Sequence, residues 1–160
     1  MIIQGTNLET GVEFQTVIED LNQDFLASIN NFSLTDDEIR KSIDNLNVSA
    51  DVKSLLFQFT KVTLKAGDFL LKIGRKIIEF VCLMYREYKN ATFGMIFGAI
   101  VGLLLASIPV LGVILGPLFT PIAIGLGLVL GLNEDIKDKQ LERKIAEINA
   151  KLAPLKTVNA

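Results

Sequence analysis

The sequence predicts an all-α fold, a helical membrane protein in which a transmembrane helical hairpin is flanked by amphipathic cytosolic helices. Three observations lead there. First, residues 91–132 form a run of 42 residues without a single Asp, Glu, Lys or Arg, and no ordinary water-facing surface can be built from such a run. Second, apolar residues elsewhere recur at three- and four-residue spacing, the period of a helix with one buried face. Third, charge is ordered along the chain. Residues 1–50 carry nine acids against Arg40 and Lys41, a net of −7; residues 51–90 carry a net of +4; residues 133–160 carry a net of +1. The basic segment therefore adjoins the apolar one, an order that suits an anionic lipid surface better than nucleic acid. The chain divides accordingly into an acidic helical head (1–48), a long basic amphipathic helix (49–90), the transmembrane hairpin (91–132) and a C-terminal amphipathic helix (133–160).

In the head, Val12, Phe14, Val17, Ile18, Leu21, Phe25, Ile29 and Phe32 read as a helical stripe that begins after Asn7 and frays near Asn30. The next helix has a clear start. Thr35 with Glu38 three residues on is a capping box, Leu34 can staple onto Ile39, and Ile39, Ile43 and Leu46 lie on one face. Ser49 with Asp51 behind it then opens a helix running to about Tyr88. Lys61, Lys65, Lys72, Arg75 and Lys76 make a basic stripe along it, followed by Arg86 and Lys89. The stripe is either the solvated face of a bundle helix or a set of lipid-headgroup contacts. Gly67 and Gly74, one heptad apart, permit a bend or a close helix contact.

The uncharged run would be about 63 Å long as one helix, twice the roughly 30 Å of a hydrocarbon core. Folding back on itself uses the whole length. Its 23 Leu, Ile, Val and Phe residues favour insertion by roughly 7–14 kcal/mol as an upper bound. Ser107, Pro109, Pro117 and Pro121 mark the turn, with arms at about 92–108 and 117–132 or a turn nearer Pro109. Gly94, Gly98 and Gly102 stand four residues apart and Ala106 continues the row; Gly112, Gly116, Gly127 and Gly131 add small positions beyond it. In lipid, such a glycine zipper lets backbones approach, packing either arm on arm or subunit on subunit. Bases on both flanks place both termini on the cytoplasmic side of the inner membrane, with two spans.

After the run, Asn133 caps a last helix. Ile136, Leu141, Ile145, Ile148 and Leu152 form a narrow seam, and Pro154 stops it.

With no His and one Cys, the chain lacks the means for Ser-His-Asp or Cys-His catalysis, His-based zinc sites and disulfide frameworks. No Walker A, dinucleotide or nucleophile-elbow motif is present, so neither an enzyme nor a cofactor is expected. Cys82 reads as a core thiol. The basic stripe lacks interleaved exposed aromatics, which argues against nucleic acid. The expected partners are the lipid bilayer, further copies of the chain, and a cytosolic protein recruited by the acidic head.

The Gly-rich run, with its Gly94/Gly98/Gly102 row and amphipathic flanks, resembles the membrane segment of small α-helical pore-forming effectors, the buried hairpin of pore-forming colicins or the insertion segment of apolipoprotein L-like proteins. The resemblance covers about a quarter of the chain. It implies a membrane-permeabilising oligomer of toxin or antiviral-defence type; the alternative is a membrane-anchored scaffold that recruits a partner through its acidic N-terminal helices.

Overall fold

A computed structural model of the chain describes residues 2–6, 11, 13–18, 21, 23–89, 91–127 and 139–156. Its elements, in order, are β1 (Ile2–Thr6), β2 (Glu13–Val17), α1 (Gln23–Ile29), α2 (Asp36–Asp44), α3 (Ala50–Thr60), β3 (Leu64–Ala66), β4 (Phe69–Leu71), α4 (Ile73–Glu87), α5 (Phe93–Ser107), α6 (Pro109–Gly125) and α7 (Lys139–Leu152), closed by a 3₁₀ turn at Ala153–Leu155. The strands form one antiparallel sheet in the order β2-β1-β3-β4. The fold is therefore mixed α/β, and the all-α expectation is corrected.

The correction falls on two segments. The head stripe is not one helix. Ile2 pairs with Val17 and Ile3 with Thr16, and along these strands burial alternates: Ile3 and Ile18 are buried while Ile2 and Val17 face out. Runs rich in β-branched residues take this period of two once a partner strand is present. The long basic helix is likewise interrupted. α3 ends with Lys61 as its C-cap, and the chain turns through a β-hairpin before α4 begins. Gly67 sits in that turn with φ of +58°, a conformation that favours glycine. Leu64, Ala66 and Leu71 point into the core and Lys65 and Leu70 out of it.

The local helix signals fall where the sequence places them. Thr35 Oγ1 accepts from the Glu38 N–H at 3.1 Å and Glu38 Oε1 accepts from the Thr35 N–H at 3.2 Å, the capping box of α2. That backbone N–H holds the Glu38 carboxyl below its ordinary range. Ser49 caps α3 through the Val52 N–H; Thr92, a cap not among those expected from the sequence, caps α5 through the Met95 N–H. The α7 seam of Leu141, Ile145, Ile148 and Leu152 is buried, and Pro154 lies in the 3₁₀ turn beyond it. The expected cap at Asn133 lies outside the described residues.

α4 organises the N-terminal half. Glu79, almost fully buried, accepts from the Leu34 N–H at 2.7 Å and pairs with Lys76 at 3.3 Å. Arg75 donates to the Leu34 carbonyl at 2.9 Å, pairs with Asp36 at 3.1 Å and lies 3.8 Å over the Phe32 ring; Lys76 donates to the Asn31 carbonyl at 2.7 Å. One helical turn thus holds the whole connection between α1 and α2 through charge-assisted hydrogen bonds. At the other end of α4, Glu87 pairs with Lys144 of α7 at 2.9 Å, and this hydrogen bond raises the Lys144 ammonium above the usual lysine range.

Cys82 is buried on α4, as the sequence suggests. Burial pushes its thiol up to about 11, against a hydrogen bond to Ser42 and the nearby Arg86 charge, which lower it. Native protein should therefore resist iodoacetamide near pH 8 by about 100-fold relative to urea-unfolded chain, read by mass spectrometry. Equal labelling of the two would contradict the burial.

Candidate functional site: the uncharged helix pair

Within the uncharged run, Phe93–Ser107 and Pro109–Gly125 fold as α5 and α6. Their junction is the single residue Ile108, extended at φ −122° and ψ 101°, with Pro109 as the first residue of α6. Pro109 forces this: a residue before proline is driven out of the helical region, while proline itself is well suited to a helix start. The turn thus lies next to Ser107 and Pro109, nearer Pro109 as the second placement had it, and Pro117 and Pro121 fall inside α6.

The described residues do not form the transmembrane hairpin expected here. α5 has 15 residues and α6 has 17, about 22 and 25 Å of helix against the roughly 30 Å of a hydrocarbon core. Among the described residues no helix is long and apolar enough to cross a membrane. The two-span inner-membrane placement, and the membrane and transmembrane-hairpin descriptions with it, are corrected. The physical reason is that the run buries one side against its own chain. α6 packs on α3, and α5 packs on α4 and α7. Phe97, fully buried, sits against Phe59 of α3 edge-on at 5.8 Å and stacks with Phe93 at 6.2 Å and Phe119 of α6 at 5.8 Å. β1 reaches the same layer, since a Cβ on Gly5 would collide with Ile114 Cδ1 of α6.

The other side of the pair is different. Gly98, Gly102, Gly112 and Gly116 are half-buried, Ala106 is exposed, and Gly94 alone of the row is buried. Leu103 and Ile124 are exposed, the latter at 59%. Nothing charged lies on either helix. Among the described residues, a Cβ on Gly116 would meet nothing within 4 Å, and one on Gly102 would meet only the tip of the Phe119 ring at 3.8 Å. A Cβ on Gly112 would press on the Leu105 carbonyl at 3.1 Å, so this glycine does serve the contact between the two helices. Gly127 follows α6 with φ of +83°; Gly131 lies outside the described residues.

The basic residues expected to meet lipid headgroups do not form a stripe. Lys61 ends α3, Lys65 is on β3, Lys72 precedes α4 and Lys89 follows it, all exposed. Arg75 and Lys76 are committed to the α1–α2 connection, and Arg86 lies 3.7 Å from Glu38 and donates to Ser42 at 3.2 Å. Sequence reasoning missed Glu79, Asn30 and Phe97. Only Glu79 carried a signal, as an acid within the apolar face of α4. Among the described residues no group of three metal-ligating side chains occurs. Comparison with protein-family models, with curated proteins and with solved structures finds no match to this chain.

Proposed function

We propose that the chain permeabilises lipid bilayers in the manner of a toxin or defence effector, from a stored form in which α5 and α6 are folded into the α/β domain. The observation that carries the reading is the uncharged outward side of that pair, with two glycines, Gly102 and Gly116, that packing among the described residues does not require. A glycine inside a helix costs about 1 kcal/mol relative to alanine. Among the described residues none stands within 4 Å of a Cβ on Gly116 and only the Phe119 ring tip does on Gly102, at an ordinary contact distance, so no close approach there repays that cost. What these glycines leave is a flat apolar surface, suited to acyl chains or to another copy of the same surface. Because the two helices are shorter than a bilayer is thick, the leak arises from disordering of the lipid by associated pairs rather than from a two-span channel. The chain acts by contact and needs no catalytic group.

Dye-loaded vesicles of mixed zwitterionic and anionic lipid test this. Intact protein should release dye, and Gly116→Lys should release it at least about tenfold more slowly, because a central charge opposes burial in hydrocarbon by roughly 3 kcal/mol. The variant should melt at or slightly above the native temperature, since no described residue stands where the side chain enters and lysine favours a helix over glycine. No release by the wild-type protein at any pH or temperature short of unfolding, or equal release by both proteins, would sink the reading.

A further inference from the structure

A separate surface is offered by an edge of the sheet. The β4 edge is closed: the Asn30 side-chain amide donates to the Leu70 carbonyl at 2.8 Å and accepts from the Lys72 N–H at 2.9 Å, taking the place of a fifth strand. The β2 edge has no such cover among the described residues. β2 pairs with β1 in an unbroken five-residue register, without bulge, proline or lysine, the devices that usually guard an edge.

The direction of its free hydrogen-bonding groups follows from the ladder. The Gly67 N–H donates to the Ile2 carbonyl, so Ile2 and Gln4 turn their backbone groups toward β3. Ile3 and Gly5 then turn theirs toward β2, where they meet Thr16 and Phe14. Glu13, Gln15 and Val17 therefore present their N–H and C=O groups to the open edge. Val17 is 62% exposed, and its cross-strand partner Ile2 is 52% exposed, so the rim beside this edge is apolar. Charge decides what could pair there. β2 contains Glu13 and is flanked in sequence by Glu9, Glu19 and Asp20, and no Lys or Arg precedes Arg40. A second copy of β2 would bring two sets of acids together, whereas a basic strand would complement them.

We propose that the β2 edge docks an extended, lysine- or arginine-bearing peptide segment of another protein as a fifth strand, with main-chain hydrogen bonds from Glu13, Gln15 and Val17 and an apolar side chain beside Val17 and Ile2. This does not depend on the permeabilising activity of α5 and α6.

The probe is a fluorescein-labelled heptapeptide in which Lys and Val stand four residues apart, on one face of an extended strand, with Thr elsewhere, and a Glu-for-Lys counterpart, measured by anisotropy on the full chain. The Lys peptide should bind at least about tenfold tighter than the Glu peptide, and Gln15→Pro, which removes an outward N–H, should weaken it about tenfold. Amide exchange gives a readout that needs no variant: the Glu13, Gln15 and Val17 amides exchange fast in the free protein and slow about tenfold or more with peptide, while those of Phe14 and Thr16 are protected throughout. Binding that leaves those three amides unchanged, equal binding of both peptides, no binding of the Lys peptide, or protection that rises with protein concentration alone and marks a homodimer would each overturn the proposal.

Discussion

Gly74→Ala should be among the most damaging single-methyl additions in this chain. Gly74 is buried in the first turn of α4, where that helix crosses the end of α3, and its N–H donates to the Val62 carbonyl at 3.0 Å. A Cβ there would overlap the Phe59 carbonyl oxygen and lie 3.2 Å from that of Val62. Both obstacles are backbone at the C-terminal turn of a helix, and Phe59 is itself packed against Phe97. No rotamer change relieves the clash; α4 must move off α3, which loosens the contacts of Ile73, Ile77 and Phe59 together. We expect a loss of about 3 kcal/mol or more, at the severe end for overpacking. For a chain of this size that is roughly 10 °C in melting temperature. Gly116→Ala is the matched control. It adds the same methyl to a helix where no described residue stands within 4 Å, and should stabilise by roughly 0.5–1 kcal/mol. Urea denaturation of both variants reads the difference. A Gly74→Ala protein as stable as wild type would show that α3 and α4 do not approach as described.

Phe97→Ala should have a comparable effect and a functional signature as well. Its ring is fully buried between α3, α5 and α6 and touches three other aromatic rings. Truncation removes the transfer free energy of the ring and leaves a cavity that backbone from three helices cannot fill, a loss of about 3–5 kcal/mol. The same contact holds α5 and α6 against the rest of the fold. The variant should therefore melt well below wild type and, where both remain folded, release vesicle dye faster, because less work separates the pair from α3. Lower stability without faster release would leave Phe97 as a core residue and break the link between packing and permeabilisation. The opposite signs expected of Gly116→Lys and Phe97→Ala on dye release, one on the outer surface and one on the inner, make the two experiments a pair.

Much of the helical half was legible from residue types alone. Capping depends on a side chain and a backbone group three positions apart, so Thr35 with Glu38 and Ser49 before Val52 announce themselves locally. Proline acts on its own neighbour, so the break at Ile108 is written in Pro109. The α7 seam is a simple period within one element. The sheet was not legible in the same way. Val17, Ile18, Leu21 and Phe25 satisfy a helical spacing as well as a strand followed by a helix, and only pairing with β1 separates the two. Lys61, Lys65, Lys72 and Lys76 fit one helix face on paper, yet Gly67 turns the chain between them.

By itself, the sequence determined that residues 91–132 carry no charge, that α2 and α3 start after Thr35 and Ser49, that the chain breaks before Pro109, and that acids predominate in the first 50 residues. Only the tertiary structure decided where the uncharged run goes. Hydropathy measures the free energy of leaving water and is nearly indifferent to the destination, whether lipid or the rest of the chain. That choice was made by distant partners: Phe59 of α3, the α4 and α7 faces, and a sheet whose first strand pairs with one more than fifty residues away.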